Sequence, residues 1–202
     1  VVVSLAALVM TLRQSTVLTS IEENLPLLIV PAILGGILGR LAGLHMPAFI
    51  LMLILGVYAI LAGLRMALIK PLPEDNNHPH PAWLAVIAMG FGGITGLLSA
   101  GGKPFTIPIY NRIMGYHPRR AYAMASIGVV AATLSALGSQ ALIGASIEPA
   151  DLALAVYAFT LIHLIATGVQ RFWTPQLNQI VTWIISLLLV LVGIRFVWMS
   201  IL

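Results

Sequence analysis

Between its charged residues the chain runs through apolar stretches of a length that only a lipid bilayer requires: 25–39, 41–64, 82–102, 121–147, 152–170 and 172–194 contain no Asp, Glu, Lys or Arg. Crossing a hydrocarbon core of about 30 Å as a helix takes roughly 20 apolar residues, and a helix satisfies its own backbone groups where no water can. Of the 202 residues, 60% are hydrophobic and 8% charged, against about 25% charged in a soluble domain. These numbers exclude a water-soluble fold and predict an all-α, polytopic helical membrane protein. Its partner is the lipid bilayer.

Seven membrane segments are expected, at 1–12, 26–44, 47–69, 83–113, 121–144, 152–170 and 177–200. The first is too short to cross. The chain has no Cys, which removes disulfides, thiol chemistry and thiolate metal sites. His78 and His80 have no third ligand near them in the sequence, so no metal site is expected, and no cofactor is implied. The net charge of +4 is spread between apolar segments rather than clustered on one face, which argues against nucleic acid. The sequence leaves open whether the protein is a homo-oligomer.

Strict alternation of the seven segments puts the linkers 13–25, 70–82 and 145–151, with all six acidic residues, on one side. Arg40, Arg112, Arg119, Arg120 and Arg171 then lie on the other. Lys and Arg mark the cytoplasmic face, so the 112–120 side is expected to be cytoplasmic, in a cell (inner or plasma) membrane. Arg13, Arg65, Lys70 and Arg195 run against that assignment.

Ile21-Glu22 recurs as Ile147-Glu148, Pro47 as Pro175, and Gly63-Leu64-Arg65 as Gly193-Ile194-Arg195. The nearly constant offset reads as a tandem parallel repeat: a first repeat at 1–69, a linker at 70–82 and a second repeat at 83–202. The four prolines of the linker exclude a helix there. The counterpart of 83–113 would precede residue 1, so an eighth segment is expected in the full protein.

The segment 83–113 is too long for one straight crossing, and its Gly101-Gly102-Lys103-Pro104 run should end one helix and start another. A helix start inside a membrane offers unpaired N–H groups and the positive end of a dipole to an anion, and Lys103 adds a full charge. An intramembrane Lys is otherwise costly and marks a functional site, although it can also snorkel to an interface. An anion held at 101–106 is therefore expected. His163, in the middle of 152–170, is either a proton-relay group or a neutral imidazole bonded to a neighbouring helix. Ser126, Thr133, Ser135 and Gln140 could line a polar path or bond to nearby carbonyls. The small residues Gly35, Gly39 and Gly43, Gly92, Gly96 and Ala100, and Gly128, Ala132 and Ala136 repeat every four positions, which suits close helix packing.

The run Gly92, Gly96, Ser99, Gly101-Gly102, Pro104 and Pro108, followed by Ala121-Tyr122-Ala123-Met124-Ala125-Ser126, resembles the second glycine motif of the sulfite exporter TauE/SafE family, also called the 4-toluene sulfonate uptake permeases. The chain differs from the family pattern in having only Ala100 between the Ser and the Gly pair, and in lacking the first motif. The resemblance implies two repeats of about four helices and the transport of sulfite, organosulfonates or related anions. It implies a secondary transporter working by alternating access, and not an enzyme. The expected substrate-binding residues are Ser99, Gly101, Gly102, Lys103, Pro104, Thr106 and Ser126, with His163 as a proton relay. Two other readings stay open: an intramembrane serine hydrolase using Ser99 and His163, and a structural subunit of a membrane complex.

Overall fold

The computed structural model of the chain describes residues 24–70, 72–74, 79–98, 102–143, 153–154, 156–158, 160–161 and 174–201. Its helices are α1 (Leu25–His45), α2 (Ala48–Leu68), α3 (Ala82–Leu98), α4 (Lys103–Arg112), α5 (Pro118–Leu142) and α6 (Pro175–Ile201). Four of these, α1, α2, α5 and α6, are long and apolar enough to cross a membrane, and α3 is a shorter apolar helix. The protein is therefore a polytopic helical membrane protein. The expected segment 1–12 lies outside the described residues, and of 152–170 only short helical fragments are described.

Glycine decides which helices meet. A Cβ at Gly39 would collide with the Gly93 carbonyl, one at Gly96 with the Gly36 carbonyl and one at Gly35 with the Met89 carbonyl. The α1 and α3 backbones therefore touch along their length, as small residues at four-residue spacing allow. Residue numbers rise together along both helices, so α1 and α3 run parallel. The helix α5 joins them in the same direction: Leu28 lies against Gly128, and Ser135 Oγ donates to the Ile33 carbonyl at 3.2 Å. Leu28, Leu84, Tyr110, Met114 and Met124 fill the space enclosed by α1, α3, α4 and α5. Outside it, Val30, Leu34, Leu38 and Leu41 form an exposed apolar stripe on α1, as lipid requires.

The glycine-rich segment does not cross and continue; it turns back. Phe91 of α3 stacks on Phe105 of α4 with ring centroids 6.5 Å apart, and Ala88 shares a cavity with Tyr110. The helix α4 thus descends beside α3 toward the end at which α3 began. There Arg112 donates to the Lys70 carbonyl at 2.8 Å and Asn111 pairs with Leu72. The break expected within 83–113 is the tip of a re-entrant hairpin, not a kink in one spanning helix.

This corrects the expected placement of the 70–82 linker. Strict alternation treated 83–113 as one crossing and so separated the 70–82 linker from 112–120. A hairpin contributes no net crossing, so both lie at one end of the bundle, the linker end. Arg65, Lys70, Arg112, Arg119 and Arg120 gather there, and two of the four cations that ran against the trend, Arg65 and Lys70, now agree with it. Arg40 and Arg195 belong to the far end.

The same parity bears on the repeat. The segments matched by the repeat are α2 and α6, which pack tightly: Cβ atoms at Gly56 and Gly193 would each meet the other's carbonyl oxygen, at 2.8 and 2.6 Å, and one at Gly63 would meet the Ser186 carbonyl at 2.6 Å. As residue numbers rise along α2 they fall along α6, so the pair is antiparallel. A parallel repeat would make the matched segments parallel. A duplication relating these two segments is therefore an inverted one.

Candidate functional site

The start of α4 carries four of the residues singled out by the sequence, Gly102, Lys103, Pro104 and Thr106. Irregular backbone is tolerated at membrane depth only where its polar groups find partners, and two buried threonines supply them. Thr95 Oγ1 donates to the Phe91 carbonyl at 2.8 Å and accepts the Gly102 N–H at 3.2 Å. Thr106 Oγ1 donates to the Gly102 carbonyl at 3.0 Å, and the Phe105 and Thr106 N–H groups turn back onto the same oxygen, both at 3.1 Å. Gly102 is thus clamped through both of its backbone groups. A Cβ there would come within 3.2 Å of Thr95 Oγ1.

This clamp changes the expected anion nest. The N–H groups of Gly102, Phe105 and Thr106 are engaged inside the hairpin, and Pro104 has none. The cation at the tip is Lys103. Its Nζ lies 5.5 Å from the centre of the Tyr122 ring on α5, within the range at which an aromatic face attracts an ammonium. Ser126, fully buried one turn further along α5, donates to the Tyr122 carbonyl at 2.8 Å. Lys103 and Ser126 are therefore brought to the same stretch of α5, Lys103 against the Tyr122 ring and Ser126 on its carbonyl. Ser99, Gly101 and His163 lie outside the described residues.

The tip is deep. Ten residues of α4 rise about 15 Å, half the hydrocarbon thickness, above the Arg112 end. Behind it Phe91, Thr95, Thr106, Tyr110, Ala125 and Val129 help line a cavity with about 10 Å³ open to the centre of a water-sized molecule. That is about the least volume that holds one water, and too little for an oxyanion of several heavy atoms. In this arrangement the space behind the tip does not admit the substrate.

Two of the other expected polar-path residues bond to backbone carbonyls, Thr133 within α5 and Ser135 both within α5 and across to Ile33 of α1. Thr133 Oγ1 bonds to the Val129 carbonyl and Ser135 Oγ to the Ala132 carbonyl at 2.9 Å.

Three residues of the site gave no clear sequence signal. Thr95 looked like one polar position among small ones, and its role follows only from the hairpin. Tyr122 stood in the quoted motif without a function. Asn111, buried at the foot of α4, accepts the Leu72 N–H at 2.8 Å and donates to the Leu72 and Tyr116 carbonyls at 2.9 and 2.8 Å. It pins the inter-helix linker to the hairpin. Gly115, at φ 71°, makes the reversal after α4 in a region that L side chains avoid, and it lets the Tyr116 N–H reach the Tyr110 carbonyl at 3.1 Å. The Arg120 guanidinium sits 4.5 Å from the Tyr116 ring centre, and burial holds the Tyr116 phenol above its ordinary range.

Comparison with known proteins places residues 1–196 within the family model described as Sulfite exporter TauE/SafE. No curated protein and no solved structure gives a significant match.

Proposed function

Since the chain belongs to the TauE/SafE sulfite exporter family, a family of membrane transporters, we propose that it is a permease for a small sulfur oxyanion, sulfite or an organosulfonate, and not an enzyme. The observation that carries the proposal is the re-entrant hairpin with a lysine at its tip. A scaffold has no use for broken backbone in lipid, whereas a transporter needs a polar site at depth that either face can reach.

In this reading Lys103 binds the anion, and Tyr122 holds the ammonium in place while the site is empty. The α4 helix end adds the positive end of its dipole. Gly102, Pro104 and Thr106 shape the tip, with Ser126 buried on α5, and Ser99 and Gly101 are retained from the sequence as candidate binding residues. His163 is retained as a candidate proton relay for coupling. Because the space behind the tip is too small for an oxyanion, the substrate passes only when α4 shifts against α3 and α5, which is alternating access around the break. The end rich in Lys and Arg is the cytoplasmic one in the cell membrane, and the inverted relation of α2 and α6 fits a site at a repeat interface.

The test is uptake of labelled sulfite by liposomes containing the purified protein. Wild type takes up sulfite and Lys103→Ala reduces the rate by at least about tenfold, the effect of losing roughly 1.4 kcal/mol of anion stabilisation. A folded wild type that moves no sulfite or sulfonate would overturn the substrate class.

A further inference from the structure

Away from the hairpin tip, an open groove runs between α2 and α4 on the outer face of the bundle. Its walls are apolar: Leu61, Leu64 and Leu68 on one side, Phe105, Pro108 and Ile109 on the other. Arg65 and Arg112 also line it, both toward the linker end, and the Arg112 charge acts on Arg65. The Arg65 Nε is buried without a hydrogen-bond partner. Arg112 gives one nitrogen to the Lys70 carbonyl, which leaves the rest of its planar fork of donors. Among the described residues no carboxylate lines this groove. Two like charges at the mouth of an apolar channel favour an anion between them, and the channel matches the shape of an acyl chain.

We propose that this groove is a binding site for one anionic phospholipid of the leaflet at the linker end. Its phosphate is held between Arg65 and Arg112, and an acyl chain lies along Leu61, Leu64, Phe105 and Pro108. The occupant follows from charge and shape. A small free oxyanion would leave the apolar walls unfilled. A zwitterionic lipid would bring a cationic group toward two arginines, whereas basic pockets between membrane helices select anionic headgroups. A guanidinium pair also matches phosphate oxygens in a bidentate way that ammonium groups do not. Because one wall is α4, an occupied groove bears on the helix that must shift in transport. The proposal does not depend on which anion is transported.

The experiment is native mass spectrometry of the purified full chain in neutral detergent, supplied with equal amounts of phosphatidylglycerol and phosphatidylcholine of identical acyl chains. One tightly held phosphatidylglycerol per chain is expected, retained over phosphatidylcholine by on the order of tenfold. The Arg65→Gln/Arg112→Gln double variant loses that preference. Arg119→Gln, a charge removed at the same end outside the groove, keeps it. Ile109→Trp, which fills the groove and leaves both arginines, also loses the bound lipid, and size-exclusion profiles matching wild type establish that the variants are folded. Equal retention of the two lipids, or undiminished phosphatidylglycerol in the double variant, would overturn the proposal. So would displacement of the lipid by millimolar sulfite, which would make the groove a substrate path, or a dimer that covers the groove and carries no lipid.

Discussion

At the scale of single residues, the site depends on polar groups that lipid cannot satisfy. The Thr95 hydroxyl is the acceptor for the Gly102 N–H, and a buried donor left without a partner costs about 1–3 kcal/mol. Thr95→Val keeps the shape of the side chain and removes the hydroxyl that accepts from Gly102 and donates to Phe91. It should lower the stability of the detergent-solubilised protein by about that amount, read as a fall in its unfolding midpoint, while Thr95→Ser should restore most of it. Asn111→Leu should do similar damage, because it strands the Leu72 and Tyr116 groups together. A Thr95→Val protein as stable as wild type would mean that the Gly102 N–H has another partner.

At the scale of elements, the fold rests on helices that touch backbone to backbone. Gly96 faces the Gly36 carbonyl, whereas Gly90, on the same helix, has nothing within 4 Å of its would-be Cβ. Gly96→Leu should force α1 and α3 apart and cost about 1–3 kcal/mol or more. Gly90→Ala should be neutral or gain up to about 1 kcal/mol from helix propensity. Thermal unfolding of the two variants in one detergent checks both. These contacts were legible in the sequence, because glycine every four residues in an apolar run has few other uses. The start of α4 was legible too, from Gly102 and Pro104. The direction of α4 was not. A Gly-Gly-Lys-Pro break ends a helix equally well whether the chain continues outward or folds back. What decides it is a set of contacts, Phe91 on Phe105 and Asn111 on Leu72, that no local pattern encodes.

At the scale of the whole molecule, one element's direction sets the topology of everything else. Counting the hairpin as a crossing made the positive residues disagree among themselves. Counting it as none brings Arg65, Lys70, Arg112, Arg119 and Arg120 to one end and turns the matched segments α2 and α6 antiparallel. Because the chain contains no Cys, each introduced thiol is the sole target for a membrane-impermeant maleimide. Glu74→Cys and His117→Cys should label from the same side of oriented vesicles, and Met46→Cys and Leu142→Cys from the opposite side. Labelling of 74 and 117 from opposite sides would restore a spanning segment and remove the hairpin.

The central claim is that a positive charge at the hairpin tip, and not merely a side chain of lysine's bulk, binds the transported anion. Lys103→Cys should abolish sulfite uptake into liposomes, and alkylation with 2-bromoethylamine, which attaches a new ammonium through a thioether that sulfite cannot cleave, should restore a substantial part of it. The neutral reagent iodoacetamide should restore none. Uptake by untreated Lys103→Cys at the wild-type rate, or equal rescue by the neutral reagent, would contradict the account.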